Sequence, residues 1–160
     1  LHRKHQILVN LVSTLSTPED KIINAAKNLL AQNSALEKEI KDLSNSLLTY
    51  KARELRENSD GNTITCILEN RSMQELQKLA KLVIQDTPQS MCILVSHNDD
   101  KLQIVVAKGS NVVQSMKDLI THILPFIHGK GGGNENMAQG GGEKIITSEQ
   151  LIEIAKSYIL

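Results

Sequence analysis

The chain has 160 residues, with 18 basic and 18 acidic side chains, a formal net charge of zero and only 2% aromatic residues. The length suits one ordinary domain, or a small domain with an extended element. The balanced charge excludes a general field that would steer a polyanion to the surface. The aromatic residues are Tyr50, Phe126 and Tyr158, and their scarcity predicts that the chain cannot build a platform for stacking unpaired bases.

The cysteines and the hydropathy pattern indicate the cellular compartment of the protein. Cys66 and Cys92 lie inside apolar runs and lack metal-ligand spacing, which predicts two reduced core thiols in a cytosolic protein. The sequence shows no apolar run of membrane length and no signal-peptide pattern, so we expect a cytoplasmic protein without a membrane partner. Because the sequence begins at Leu1 and not at a methionine, we also expect it to be part of a longer protein.

Residues 1–57 predict an antiparallel helical hairpin with a long, coiled-coil-like second helix. Thr17 suits the capping position of that helix and Pro18 its first position. Apolar residues then alternate at spacings of four and three, which is typical of a coiled-coil seam. Asn33 is the one polar member, and a buried asparagine in a seam fixes register and partner number. The predicted seam consists of Ile22, Ala26, Leu29, Asn33, Leu36, Ile40, Leu43, Leu47 and Tyr50.

The seam can pack on the first helix of its own hairpin or on a second copy of the chain. The first predicted helix is far shorter than the second, and a helix rises only about 1.5 Å per residue. The part from Leu36 to Tyr50 would then stay uncovered. We therefore predict a homodimer formed through residues 22–57.

The second half predicts a small globular α/β domain. Turn-forming residues at 58–62 indicate a linker, and residues 63–160 follow as the domain. Strand, helix and strand in succession imply a parallel pair, to which a hairpin adds an antiparallel strand, so the sheet should be mixed. Ser72 and Glu75 form a capping box for the first helix of this domain. The predicted elements are strands at 63–68, 91–96 and 102–107, and helices at 72–85, 112–124 and from 147 onward.

Seven of the nine glycines fall between Gly129 and Gly142. Glycine this dense lets the backbone approach another backbone or a phosphate closely, and successive N–H groups can form an anion-binding nest. A flexible linker is the alternative interpretation, although residues 137–139 interrupt the run and can pair as a short strand. Lys130 precedes the glycines and no Ser or Thr follows that lysine, so the segment is not a phosphate-binding loop of the nucleotide-hydrolase type. We predict no nucleotide cofactor.

The run Gly-Lys-Gly-Gly-Gly from Gly129, followed after three residues by Met-Ala-Gln-Gly-Gly-Gly, resembles the C-terminal domain of alanyl-tRNA synthetase. The resemblance extends to the order of elements along the chain. The same DHH-associated domain occurs in long-form free-standing alanyl-tRNA editing proteins and in DHH-family phosphoesterases. Where this family often has Arg-Pro-Asp, the chain has Asn-Glu-Asn at 134–136. The phosphoesterase branch usually has a histidine where Asn134 stands, which favours the synthetase-type branch.

The resemblance implies a module that binds tRNA, with alanine-specific tRNA as the expected partner, and that dimerises. Upstream catalytic domains of the same protein would hydrolyse mischarged aminoacyl-tRNA or attach alanine to tRNA. Residues 47–55 look like the free-standing editing proteins, which favours an editing parent over a ligase. The open alternatives are a purely structural dimerisation module and an accessory domain of a DHH-family phosphoesterase.

We expect no catalytic residue, metal or cofactor in this part of the protein. His2 and His5 have no cysteine partner nearby, and His97 beside Asp99 and Asp100 is typical of a polar turn. For RNA contact, Lys130 is the first candidate, because it places a charge beside closely approaching backbone. The other residues of the predicted site are Gly131, Gly132, Gly133, Gln139, His128 and Lys108. Lys51, Arg53 and Arg56 form a second basic patch, whose charges also suit a helix C-terminus.

Overall fold

The computed structural model describes residues 1–159 and confirms the predicted fold class: two N-terminal helices followed by a small α/β domain with a mixed sheet. The chain separates into two compact units, Leu1–Asn45 and the remainder from Ser46. The elements in order are α1 (His2–Leu15), a 3₁₀ turn (Glu19–Lys21), α2 (Ile22–Glu57), β1 (Thr63–Glu69), α3 (Met73–Ile84), β2 (Met91–His97), β3 (Lys101–Lys108), α4 (Met116–Ile123), a second 3₁₀ turn (Leu124–Ile127), β4 (Lys130–Gly133), β5 (Met137–Glu143) and α5 (Ser148–Ile159).

In the first unit, the turn between α1 and α2 differs from the predicted cap. Ser16 adopts the left-handed conformation, with φ 50° and ψ 42°, and ends α1. Pro18 is the capping residue of the 3₁₀ turn, and no side chain caps it. Thr17 turns back instead, and its hydroxyl donates to the carbonyl of Leu15 at 2.9 Å. The prediction that Thr17 caps the second helix is therefore wrong.

The sheet of the second unit has the strand order β1-β2-β3-β5-β4. β1 and β2 are parallel, with Thr63 opposite Met91, and the remaining pairs are antiparallel. The parallel pair joined through α3 and the antiparallel strand that follows it both match the prediction. β4 and β1 are the two edges, so the glycine-rich residues of β4 form one margin of the sheet.

Both faces of the sheet carry a core. Because side chains alternate along a strand, Ile104 and Val106 of β3 point to one face, and Val105 and Ala107 to the other. The first face packs against α4, the second 3₁₀ turn and α5. The second face packs against α3 and against Leu48 and Ala52 near the end of α2. On this second face the core ends at β5 with Met137, which is only partly buried.

Local capping explains most helix boundaries in this unit. The Ser72 hydroxyl accepts from the Glu75 N–H at 3.2 Å, as the sequence predicts. Thr147 and Gln150 bond each other reciprocally at the start of α5, at 2.9 and 3.1 Å. The helix predicted from residue 112 begins instead at Met116, because the Ser115 side chain accepts from the Asp118 N–H. Capping at that serine leaves residues 109–115 as a loop.

Candidate nucleic-acid interface

The glycine-rich segment is a β-hairpin, so its interpretation as a flexible linker is wrong. We call residues 129–143 the glycine hairpin. Its turn is held by Asn134, whose side-chain oxygen accepts from the N–H groups of Asn136 and Met137 at 2.8 and 3.0 Å. The turn is also hydrogen-bonded to the start of α4, because the carbonyl of Glu135 accepts from the Met116 N–H at 3.0 Å. The segment is therefore an ordered margin of the sheet.

Several glycines of the hairpin are required by its own packing. A Cβ atom on Gly142 would lie 2.3 Å from the carbonyl oxygen of Ile127, and one on Gly140 would lie 2.4 Å from a methyl group of Leu124. A Cβ on Gly131 would lie 2.1 Å from the carbonyl oxygen of Gln139, and Gly133 has a φ of +148°. Any side chain at these positions would collide with backbone or core, or would strain the chain. Glycine at these positions needs no ligand to account for it.

Two glycines have no such requirement. A Cβ on Gly132 would meet no atom within 4 Å, and one on Gly141 would make only ordinary contacts, the nearest at 3.4 Å. Gly132 lies opposite Gln139, and Gly141 lies opposite Lys130 on one side and Gln103 on the other. Since residues directly opposite in an antiparallel pair point to the same face, these five residues share one face. We call it the outer face of the hairpin.

The outer face lies beyond the part of the sheet that α3 covers. Lys130 is exposed, while Gln139 and Gln103 are half-buried and flank bare backbone. A shallow cleft of about 520 Å³ continues from this face along Lys101, Gln103 and Glu143. The result is a flat backbone surface bordered by two lysines, Lys130 and Lys101, and by two amide side chains. The sequence alone does not indicate Lys101 and Gln103 as site residues, because only strand register places them beside the glycines.

His128 adjoins this face at the start of the hairpin. Its Nδ1 atom lies 3.6 Å from Oε2 of Glu143, and both side chains are largely exposed. Glu143 sets a carboxylate beside the imidazole, and its negative charge would oppose a phosphate there. Among the predicted residues, His128, Lys130, Gly132 and Gln139 therefore come together, with Glu143 as an unpredicted acidic neighbour.

Lys108 lies elsewhere. Its backbone N–H donates to the carbonyl of Asn136 at 3.0 Å, so it borders the turn of the hairpin and not the end that carries Lys130. It also alternates onto the opposite face of β3 from Gln103. The structure thus separates Lys108 from the outer face.

The second basic patch is engaged in contacts of its own. Lys51 lies 3.6 Å from the Glu54 carboxylate, and the Arg53 guanidinium lies 5.9 Å from the ring centroid of Tyr50. The guanidinium of Arg56 donates to the carbonyl of Leu82 in the last turn of α3. Arg56 therefore satisfies a helix-end carbonyl, which leaves Arg53 as the member of the patch most open to solvent.

The predicted dimerisation seam is exposed over most of its length. Ile22 is buried, whereas the apolar seam residues from Leu29 to Tyr50 are 50 to 69% exposed. Asn33 is exposed as well, and its amide donates to Glu37 at 3.3 Å. A stripe of large apolar side chains open to water is unusual for a monomer.

The Cys92 thiol is buried and the Cys66 thiol is partly buried. Burial raises the pKa of the Cys92 thiol to about 12, and burial also raises the pKa of Cys66. Both thiols are free. Within residues 1–159, no three His, Cys, Asp or Glu side chains converge as a metal site. Over the same range, no helix is both long and apolar enough to cross a membrane.

The fold and its margin define a class of small mixed-sheet α/β domains whose edge is a glycine hairpin. Residues 60–160 match the DHHA1 domain family, and the chain belongs to that family. Among curated proteins, it is 25% identical over 158 residues to an alanine–tRNA ligase of Francisella tularensis subsp. holarctica, covering 96% of this chain and 18% of the ligase. It is 29% identical over 137 residues to the alanine–tRNA ligase of Saccharophagus degradans, covering 82% of this chain and 16% of that one. The chain spans less than a fifth of the length of these relatives.

Solved structures support the same fold. The C-Ala domain of Aquifex aeolicus alanyl-tRNA synthetase superposes with a TM-score of 0.58 at 23% identity, over 63% of this chain and 93% of that domain. RecJ of Thermus thermophilus superposes with a TM-score of 0.54 at 15% identity, over 95% of this chain and 24% of RecJ. Both likenesses concern the fold.

Proposed function

We propose that this chain is a tRNA-binding and self-associating module of an alanyl-tRNA synthetase or of a free-standing alanyl-tRNA editing protein. It would hold alanine-specific tRNA while other domains of the parent attach alanine or remove a mischarged amino acid. Family membership and the alanine–tRNA ligases among its relatives support this proposal. Those relatives favour a ligase as the parent, whereas the sequence of residues 47–55 favours an editing protein.

The observation that carries the RNA-binding proposal is the pair of outer glycines. Nothing within the fold requires glycine at Gly132 or Gly141. Their bare backbone lets a phosphodiester chain approach the sheet closely, within reach of the exposed Lys130 and of the Gln103 and Gln139 amides. Folded RNA is recognised largely through shape and backbone, which suits a surface that is flat and nearly neutral.

The salt dependence of tRNA binding tests this proposal. About three phosphate contacts give a slope of about −2 to −3 for log affinity against log salt, because each contributes about 0.7 to 0.9. Lys130→Ala should weaken binding and make the slope shallower by about one contact. Lys78→Ala, which removes an exposed lysine on α3, serves as the charge-matched control and should change neither quantity.

A second variant tests the backbone itself. Gly132→Ala adds one methyl group where the fold has room, so the stability should stay within about 0.5 kcal/mol. The methyl group would hold a phosphate away from the strand, and we expect tRNA affinity to fall about fivefold. The opposite outcome has two parts. Lys130→Ala and Gly132→Ala would both bind tRNA as the wild type does, and reversing the charges of Arg53 and Arg56 would abolish binding. The RNA site would then lie on α2.

Self-association rests on the exposed seam of α2. Sedimentation at micromolar concentration should show a dimer, because burying the apolar stripe against a second copy removes it from water. Leu43→Asp with Leu47→Asp should yield monomers. Ala31→Asp with Ala35→Asp adds the same two charges to the same helix at exposed positions away from the seam and should leave the dimer intact. A monomeric wild-type chain would count against this part of the proposal.

A further inference from the structure

Three ring side chains from three separate elements meet on the surface of the second unit. His122 of α4 stacks on Tyr158 of α5, with ring centroids 4.4 Å apart and an angle of 21° between the planes. Phe126, in the 3₁₀ turn after α4, meets His122 edge to face with centroids 5.9 Å apart. We call His122, Phe126 and Tyr158 the ring cluster. It contains two of the three aromatic residues in the chain.

The ring cluster bears on one prediction that was based on composition. The scarcity of aromatic residues predicts that no stacking platform can form, but a platform depends on where the rings lie and not on how many there are. Phe126 is 45% exposed and Tyr158 39% exposed, and His122 is exposed too. Ring surface therefore remains open to a further flat group, which would stack with the usual offset or edge geometry.

The immediate surroundings of the ring cluster distinguish it from an ordinary apolar docking patch. Among the large apolar residues of α4, the second 3₁₀ turn and α5 that the structure describes, only Phe126 and Tyr158 are exposed. The imidazole and the phenol also bring polar edges that can hydrogen-bond to a ligand. A partly exposed π surface with polar edges suits a nucleobase.

The cluster is also close along the chain to the proposed RNA surface. Phe126 precedes Lys130 by four residues, and four residues span at most about 14 Å. His128 lies between them. The two surfaces lie on opposite faces of the sheet, because α4, the second 3₁₀ turn and α5 cover one face and the outer face of the hairpin belongs to the other. Between them lies β4, which is an edge strand. One folded RNA molecule that wraps around this edge can therefore reach the ring cluster with a base while its phosphates contact the glycine hairpin.

We propose that the ring cluster binds an unstacked or terminal nucleobase of the RNA that the glycine hairpin holds through its backbone. This inference rests on the proposed RNA-binding function and adds a stacking contact to it. Stacking on an aromatic ring is tolerant of sequence and insensitive to salt compared with phosphate contact. The two surfaces should therefore differ in how mutations alter the salt dependence.

The chain offers a direct probe, since Phe126 is its only phenylalanine. Protein labelled with 4-fluorophenylalanine carries one fluorine, at the ring cluster, and gives one resonance. Folded tRNA should shift this resonance through the ring current of a stacked base. Inorganic polyphosphate, which competes for cationic sites but has no bases, should leave it in place while still displacing tRNA.

Mutations provide the second measurement. Phe126→Leu keeps an apolar side chain but removes the flat ring, and we expect tRNA affinity to fall about tenfold with the salt slope unchanged. Tyr158→Leu should act alike, whereas Lys130→Ala should change the slope. If wild-type protein binds tRNA but Phe126→Leu and Tyr158→Leu bind equally well, or if polyphosphate shifts the fluorine resonance as tRNA does, the ring cluster is not a base site and the RNA-binding proposal stands. If wild-type protein binds no tRNA at any salt concentration, both proposals fail.

Discussion

Gly141 and Gly142 are neighbours on one strand, yet they are glycine for different reasons. A side chain on Gly142 would strike the backbone at Ile127, whereas one on Gly141 would find ordinary contact distances. The inner face of the hairpin needs glycine so that the second 3₁₀ turn can pack closely against the strand. The outer face has glycine without an internal need. Glycine density alone therefore does not mark a ligand site, and only the glycines that the fold leaves unexplained support one.

The largest expected difference in unfolding free energy is between alanine variants of Gly142 and Gly141. Gly142→Ala should destabilise the protein by about 3 kcal/mol, because the new methyl group overlaps fixed backbone and the turn must move. Gly141→Ala should leave stability unchanged or raise it by about 0.5 kcal/mol, through the reduced freedom of the unfolded chain. Urea unfolding of both variants measures the difference. Equal destabilisation by the two substitutions would remove the distinction between the faces.

A smaller difference in unfolding free energy is expected between two arginines of α2, Arg56 and Arg53. Arg56→Met should cost about 1.5 kcal/mol, because it leaves the Leu82 carbonyl without its charged donor. Arg53→Met should cost no more than about 0.5 kcal/mol, since its exposed contact with Tyr50 is weak. Thermal unfolding at fixed salt compares them directly. A larger loss for Arg53 than for Arg56 would show that the Leu82 contact contributes little.

Much of the fold follows from local sequence signals. The capping box at Ser72 and the one at Thr147 act over three residues, and the continuous apolar run of β2 acts over one strand. The predicted start of α4 at residue 112 differs from the observed start at Met116, although the sequence contains the Ser-x-x-Asp cap at Ser115. The apolar Val112 and Val113 extend the helical pattern toward the N-terminus and so favour the earlier start. Thr17 failed as a cap because the left-handed Ser16 redirects the chain.

The site was harder to predict, because it depends on register between distant strands. Lys130 and the glycines stand out in the sequence, but Gln103 joins them only through the pairing of β3 with β5. The same pairing removes Lys108 from the group. The ring cluster needs three elements to pack before its members meet, so no spacing rule along the chain could reveal it.

The turn at Asn134 has a consequence for how the hairpin keeps its alignment. In most strands, side chains lock the register, because a slip of one residue would expose the core face and bury the polar one. β4 consists of one lysine and three glycines, so its own side chains provide little resistance to such a slip. The alignment is fixed from the end instead, by the Asn134 side chain and by the bonds of Glu135 and Asn136 to Met116 and Lys108. In this protein the turn at residues 134–136 sets the register of β4, and that register determines which glycines face outward.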